Sequence, residues 1–213
     1  MSGVRAVISD FGGVLTTPLL HSFAAFQDTT GISPETLGFA MQRLAERDGE
    51  HPLFALEKGE ITEAAFLERI AGQLEADLGR RPEMHRFSEI YFEALEPNPP
   101  MIELMRRLRD SGQRMALLTN NVREWESLWR SMLPVDEIFE LVVDSAFVGM
   151  RKPDSPIYEL TVERLGDGIG PAECLFVDDV AVNVEAAREL GMRAVHFHSN
   201  EQAIDEIEAA LAG

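Results

Sequence analysis

The chain has 213 residues, 45% of them hydrophobic and 26% charged, and a formal net charge of -18. That length buries a useful core as one domain, or as one domain with a modest insertion. The excess of 37 acidic over 19 basic residues repels a phosphate backbone, so nucleic acid is not an expected partner.

The first element expected is a strand over residues 4–9, an apolar run that stops at Asp10 and is followed by Gly12 and Gly13. One arginine and a short run broken by an aspartate do not make a signal peptide. No apolar run approaches the roughly 20 residues of a membrane span. A cytoplasmic location is expected, with no membrane partner. Residues 18–95 show helical periodicity and no convincing strand, for example over 37–47 and 62–78, where Thr62 is placed to cap. Glu96-Pro97-Asn98-Pro99-Pro100 reads as a stiff return linker.

From there strands and helices alternate. A helix over 100–111 stops at Gly112, and strands are expected at 115–119, 141–144, 174–177 and 194–197. Helices are expected at 122–132, 156–165, 180–190 and 203–211. The strand runs are apolar throughout, as when both sheet faces are covered. The expected class is α/β: a doubly wound, parallel, Rossmann-like sheet with a helical segment inserted after the first strand. The single cysteine, Cys174, lies in the fourth run. It permits no intrachain disulfide, fits a reducing compartment, and reads as a small core residue.

Open α/β sheets bind ligands outside the carboxyl ends of their strands. The residues just beyond each run are therefore the informative ones. Asp10 stands after the first, Thr119-Asn120-Asn121 after the second, and Asp178-Asp179 after the fourth, with Arg151-Lys152-Pro153 between the third and fourth. Clustered carboxylates repel unless a cation sits among them. Hard oxygen donors suit Mg²⁺. A lysine and a hydroxyl beside them suit a phosphoryl group, and a carboxylate can attack phosphorus.

The bland readings differ by residue. Asp179 could cap the next helix, and Asn121 could belong to a turn. Arg151 reads as solvent-exposed, and Trp125 and Trp129 read as core packing. His196 and His198 read as structural, and the methionines as gap fillers.

Four motifs carry a family resemblance: Asp10-Phe11-Gly12-Gly13-Val14, Leu118-Thr119-Asn120-Asn121, Lys152-Pro153, and Asp178-Asp179 with Asn183. In order and spacing they resemble the haloacid dehalogenase-like (HAD) superfamily. The likeness is nearest to the phosphatase-like N-terminal domain of soluble epoxide hydrolase and its stand-alone bacterial relatives. The resemblance implies a core over residues 1–16 and 97–213 and a mobile helical cap over 17–96. It implies Asp10 as nucleophile and Mg²⁺ ligand, with the Gly12 carbonyl and Asp179 as further ligands. Asp178 and Asn183 would support them. Thr119 and Asn120 would hold the phosphoryl oxygens, and Lys152 would neutralise charge there and on Asp10. The implied partner is a small phosphorylated metabolite.

Gly12 departs from the family pattern, because most of its phosphatases carry an acid–base aspartate there. Such a group contributes about 10² to 10⁴ in rate. Its absence favours good leaving groups, or a substitute such as Glu60 or His21. The expected activity is a Mg²⁺-dependent phosphohydrolase. The alternatives are a 2-haloacid dehalogenase, against which the Asp178-Asp179 pair argues, and a non-catalytic phosphate-binding protein. Oligomeric state is not readable from the sequence.

Overall fold

Runs that are apolar without alternation become strands because helices cover both of their faces. The structure, a computed structural model, describes residues 3–18, 20–84 and 86–213, without the side chains of residues 20, 21 and 23. Five strands, β1 (Ala6–Ser9), β2 (Arg114–Thr119), β3 (Leu141–Asp144), β4 (Cys174–Asp178) and β5 (Arg193–His196), make one sheet in the order β3-β2-β1-β4-β5. Every neighbouring pair is parallel. Successive β1 residues feed opposite cores. Val7 packs with Met115, Leu117, Leu175 and Val177 on one face. Ala6 and Ile8 pack with Ala116, Leu118, Cys174 and Phe176 on the other.

Among the described residues the segment inserted after β1 forms five helices: α1 (Leu20–Thr30), α2 (Pro34–Asp48), α3 (Pro52–Glu57), α4 (Glu63–Leu78) and α5 (Phe87–Glu93). Thr62 caps α4 as expected, its Oγ1 accepting from the Ala65 N–H at 3.2 Å. The ends of this inserted segment meet at its base. Thr16 bridges Pro97, the Thr17 N–H donates to the Glu96 carbonyl at 2.8 Å, and the Asn98 N–H donates to the Leu15 carbonyl at 2.8 Å.

After the insertion come α6 (Pro99–Asp110), a short 3-10 turn at Arg123–Trp125, α7 (Glu126–Ser131), α8 (Val135–Ile138), α9 (Ser145–Val148), α10 (Ser155–Leu165), α11 (Ala181–Glu189) and α12 (Asn200–Ala212). The helix expected over 122–132 is thus a 3-10 turn running into α7, and it starts after Asn121 accepts the Val122 N–H at 2.9 Å. Among the described residues no helix is long and apolar enough to cross a membrane.

β1 lies between β2 and β4, so the chain leaves it toward one side of the sheet and later returns on the other. That switch point opens a crevice at the carboxyl ends of β1 and β4. Ser9 is in register with Leu117 and Val177, which brings the residues just beyond these strands onto one edge.

Candidate active site

β1 ends at Ser9, and its continuation holds Asp10, whose N–H donates to the Val177 carbonyl at 2.8 Å. The Asp10 carboxylate is oriented by two donors on Oδ1: the Phe11 N–H at 2.7 Å and the Lys152 Nζ, also at 2.7 Å. Lys152 Nζ lies equally close, 2.7 Å, to Asp178 Oδ2. This lysine is only 1% exposed. A buried ammonium persists only when paired, and here two carboxylates share it.

Asp178 is fully buried and its oxygens are engaged. Oδ1 accepts from the Val180 N–H at 2.8 Å, and the Asn183 amide donates to both oxygens at 3.1 Å. The Asn183 carbonyl in turn receives the Tyr158 hydroxyl at 3.0 Å. Asp178 therefore fixes Lys152 and does not line the cavity, whereas Asp10 and Asp179 do. Asp179 does not cap α11, which begins at Ala181 without a side-chain cap. The Asp179 carbonyl is instead held by His196 Nε2 at 3.0 Å, so the structural reading of His196 holds.

The second glycine of the opening motif now has a reason. Gly13 adopts φ +77°, and a Cβ there would lie 2.2 Å from Asp179 Oδ2. Only a residue without a side chain lets the Asp179 carboxylate sit against this turn.

Asp10, Asp178 and Asp179 offer oxygens that all lie within 4.8 Å of one another. Burial, against the pull of Lys152 and with the repulsion of both other aspartates, pushes the Asp10 carboxyl up to about 8. Burial and the charge of Asp178 also push Asp179 upward. Oxygen-only donors that repel one another when ionised fit a hard divalent cation, which relieves that repulsion.

Thr119 ends β2 and is 2% exposed, at the cavity wall. Asn120 does something its sequence position did not reveal. Its amide clamps the Lys152 backbone, Oδ1 accepting the Lys152 N–H at 2.8 Å and Nδ2 donating to the Lys152 carbonyl at 2.9 Å. Arg151, expected to be exposed, has a side chain only 13% exposed, because its Nε pairs with Glu57 Oε2 at 2.6 Å and its guanidinium covers the Phe54 ring.

A cavity of about 570 Å³ opens over this cluster, between the sheet edge and the insertion. Its floor holds Asp10, Gly12, Thr119, Lys152 and Asp179. Its walls are apolar and aromatic, among them Leu37, Met41, Phe54, Phe66, Phe87, Tyr91, Phe92 and Trp125. The core-packing reading holds for Trp129, fully buried with its ring 5.3 Å from that of Phe11. It holds for Trp125 too, a buried member of the same core cluster set among Phe87, Tyr91 and Phe92 of the insertion, and this ring also lines the cavity. Glu60 pairs with Lys58 and does not line the cavity, and the side chain of His21 lies outside the described residues. Glu57 is the acidic residue of the insertion that does line it. Periodicity alone could not single it out from its acidic neighbours.

Residues 4–191 match the haloacid dehalogenase-like hydrolase family, and the chain belongs to it. It is 33% identical over 97% of its length to acyl-CoA dehydrogenase family member 10 of Mus musculus, of which it spans 19%. It is 29% identical over 96% of its length to bifunctional epoxide hydrolase 2 of Sus scrofa, of which it spans 38%. The chain thus covers well under half of either relative. Sesquiterpene phosphatase astK of Aspergillus oryzae is 29% identical, with 91% of this chain and 89% of that one covered. A HAD family enzyme of Bacteroides thetaiotaomicron, solved as a magnesium complex, shares the fold at a TM-score of 0.67 and 24% identity, covering 91% of this chain and 93% of its own.

Proposed function

We propose that this chain is a Mg²⁺-dependent phosphohydrolase acting on a small phosphorylated metabolite whose organic group is apolar. The carrying observation is the buried Lys152 ammonium, 2.7 Å from Asp10 and from Asp178, with the Asp179 carboxylate close by. Asp10, Asp179 and the Gly12 carbonyl would hold Mg²⁺, which when bound offsets charge on the phosphoryl oxygens. Asp10 attacks phosphorus and the bond to the leaving oxygen breaks, giving an aspartyl phosphate. Water then attacks phosphorus, inorganic phosphate departs, and the carboxylate is restored. Lys152 and the Thr119 hydroxyl stabilise the phosphoryl oxygens, and Asn120 acts by fixing Lys152. Asp178 and Asn183 hold the ammonium in place. The inserted helices, residues 17–96, serve as the cap that keeps water out over a core of 1–16 and 97–213.

The apolar walls select the organic group, since burying it there is favourable and burying a polar one without partners is not. Gly12 offers no proton to the leaving oxygen, so groups of low basicity are favoured. Aryl phosphates meet both conditions. The fully buried Cys174 thiol suits a reducing, cytoplasmic setting.

The test is a panel of 4-nitrophenyl, 1-naphthyl and glycerol 3-phosphates, with Mg²⁺ or with excess chelator. The aryl esters should turn over only with Mg²⁺, and Asp10→Asn should abolish turnover. Robust turnover in chelator overturns the reading. Chloride release from 2-chloropropionate would assign dehalogenase chemistry, and phosphate binding without turnover across the panel would assign a binding protein.

A further inference from the structure

Lys152 has to be held at Asp10, and its backbone is gripped from outside the sheet. Asn120 clamps the residue 152 peptide groups at 2.8 and 2.9 Å. Glu57, the last residue of α3, reaches across the cavity mouth to that arrangement. Its Oε2 accepts from Arg151 Nε at 2.6 Å and from Asn120 Nδ2 at 3.4 Å. One carboxylate of the insertion therefore touches both groups that flank Lys152: the residue before it and the amide that clamps it.

Several observations make this more than a surface ion pair. The two side chains are only 13% and 14% exposed, so water does not screen them as it screens an open pair. The Arg151 guanidinium also lies 3.9 Å from the centre of the Phe54 ring, so α3 holds it by face and by edge. Both α3 residues line the cavity beside the reacting groups. Another polar joint, from the Glu63 N–H to Glu124 Oε1 at 3.2 Å, is exposed.

We infer that Glu57 is a positioning residue of the insertion, which completes the placement of Lys152 against Asp10 only when α3 is docked over the cavity. The inference rests on the phosphohydrolase reading for its kinetic consequence and on geometry alone for its structural one. When the insertion lifts, Arg151 and Asn120 lose their shared acceptor and the grip on residue 152 slackens. When it closes over a substrate, the grip returns. Chemistry is thereby tied to closure, without Glu57 touching the phosphoryl group.

The experiment compares wild type with Glu57→Ala, Glu57→Gln, Arg151→Met and the double variant Glu57→Ala/Arg151→Met, using 4-nitrophenyl phosphate and amide hydrogen exchange. Misplacing a reacting group by about 1 Å costs about 10²-fold. Glu57→Ala should therefore lower kcat by tens-fold or more with KM within about threefold, and Glu57→Gln should recover part of that loss through its retained contact with Asn120. The double variant should be no slower than the worse single variant, because residues acting as one unit are not additive. Exchange of the Lys152 amide should quicken in Glu57→Ala and not in Asp10→Asn. An unchanged kcat, an effect confined to KM, or losses that multiply in the double variant would overturn the inference. Should the wild type turn over no phosphate, the exchange measurement still decides it. Quickened exchange then keeps the positioning contact while the phosphohydrolase reading falls, and unchanged exchange removes both.

Discussion

Gly13→Ala tests how the sheet edge makes room for its third carboxylate. A methyl group at residue 13 would meet Asp179 Oδ2 at 2.2 Å and Asp179 Cγ at 2.6 Å. Real carbon contacts of this kind lie near about 3.5 Å, so the carboxylate has to shift by about 1 Å. The backbone at φ +77° adds a left-handed penalty of about 1–2 kcal/mol for alanine. The control is Gly79→Ala at the end of α4, where φ is +70° and nothing lies within 4 Å of the added atom. Gly79→Ala should lose about 1–2 kcal/mol in urea unfolding, and Gly13→Ala at least as much. Only Gly13→Ala should also raise the Mg²⁺ concentration for half-maximal turnover and cut turnover by about 10²-fold. Equal turnover and equal Mg²⁺ dependence in the two variants would refute the placement of Asp179.

Lys152→Met should abolish turnover and destabilise the fold by about 3–5 kcal/mol near pH 8, since it strands the buried Asp10 and Asp178. Burial raises the Asp144 carboxyl from 3.8 to about 6, so its contribution to stability is full below about pH 4 and lost as pH rises through about 6. Asp144→Asn should therefore gain on wild type between pH 4 and 6 and hold a lead of up to about 3 kcal/mol above that, read by urea unfolding across pH. Thr62→Ala should cost about 1 kcal/mol by removing the α4 cap, and Thr62→Ser should restore most of it in the same assay.

The sheet was legible because its strands are uninterrupted apolar runs, and their spacing by helices fixes parallel pairing. The strand-end groups were legible for the same reason: once Asp10, Thr119 and Asp178 end parallel strands, topology alone puts them on one edge. Features that lay hidden depend on contacts between distant segments. Arg151 carries no local sign of burial, and only the approach of Glu57 and Phe54 from α3 encloses it. Asn120 sits beside a hydroxyl that looks made for phosphate, yet its amide serves the Lys152 backbone 32 residues away. The cavity walls were hidden too. Phe87, Tyr91 and Phe92 sit at helical spacing that fits core packing, and only the fold, which sets them beside Trp125, makes them line a cavity as well.

The central claim is that Asp10 attacks phosphorus. It is tested most directly by rapid acid quench during turnover of 1-naphthyl phosphate, with mass spectrometry of the peptide that carries Asp10. That peptide should gain one phosphoryl group in the presence of Mg²⁺, and the gain should be absent from Asp10→Asn. Turnover with no phosphorylated Asp10 peptide, or with the label on another residue, would contradict the account.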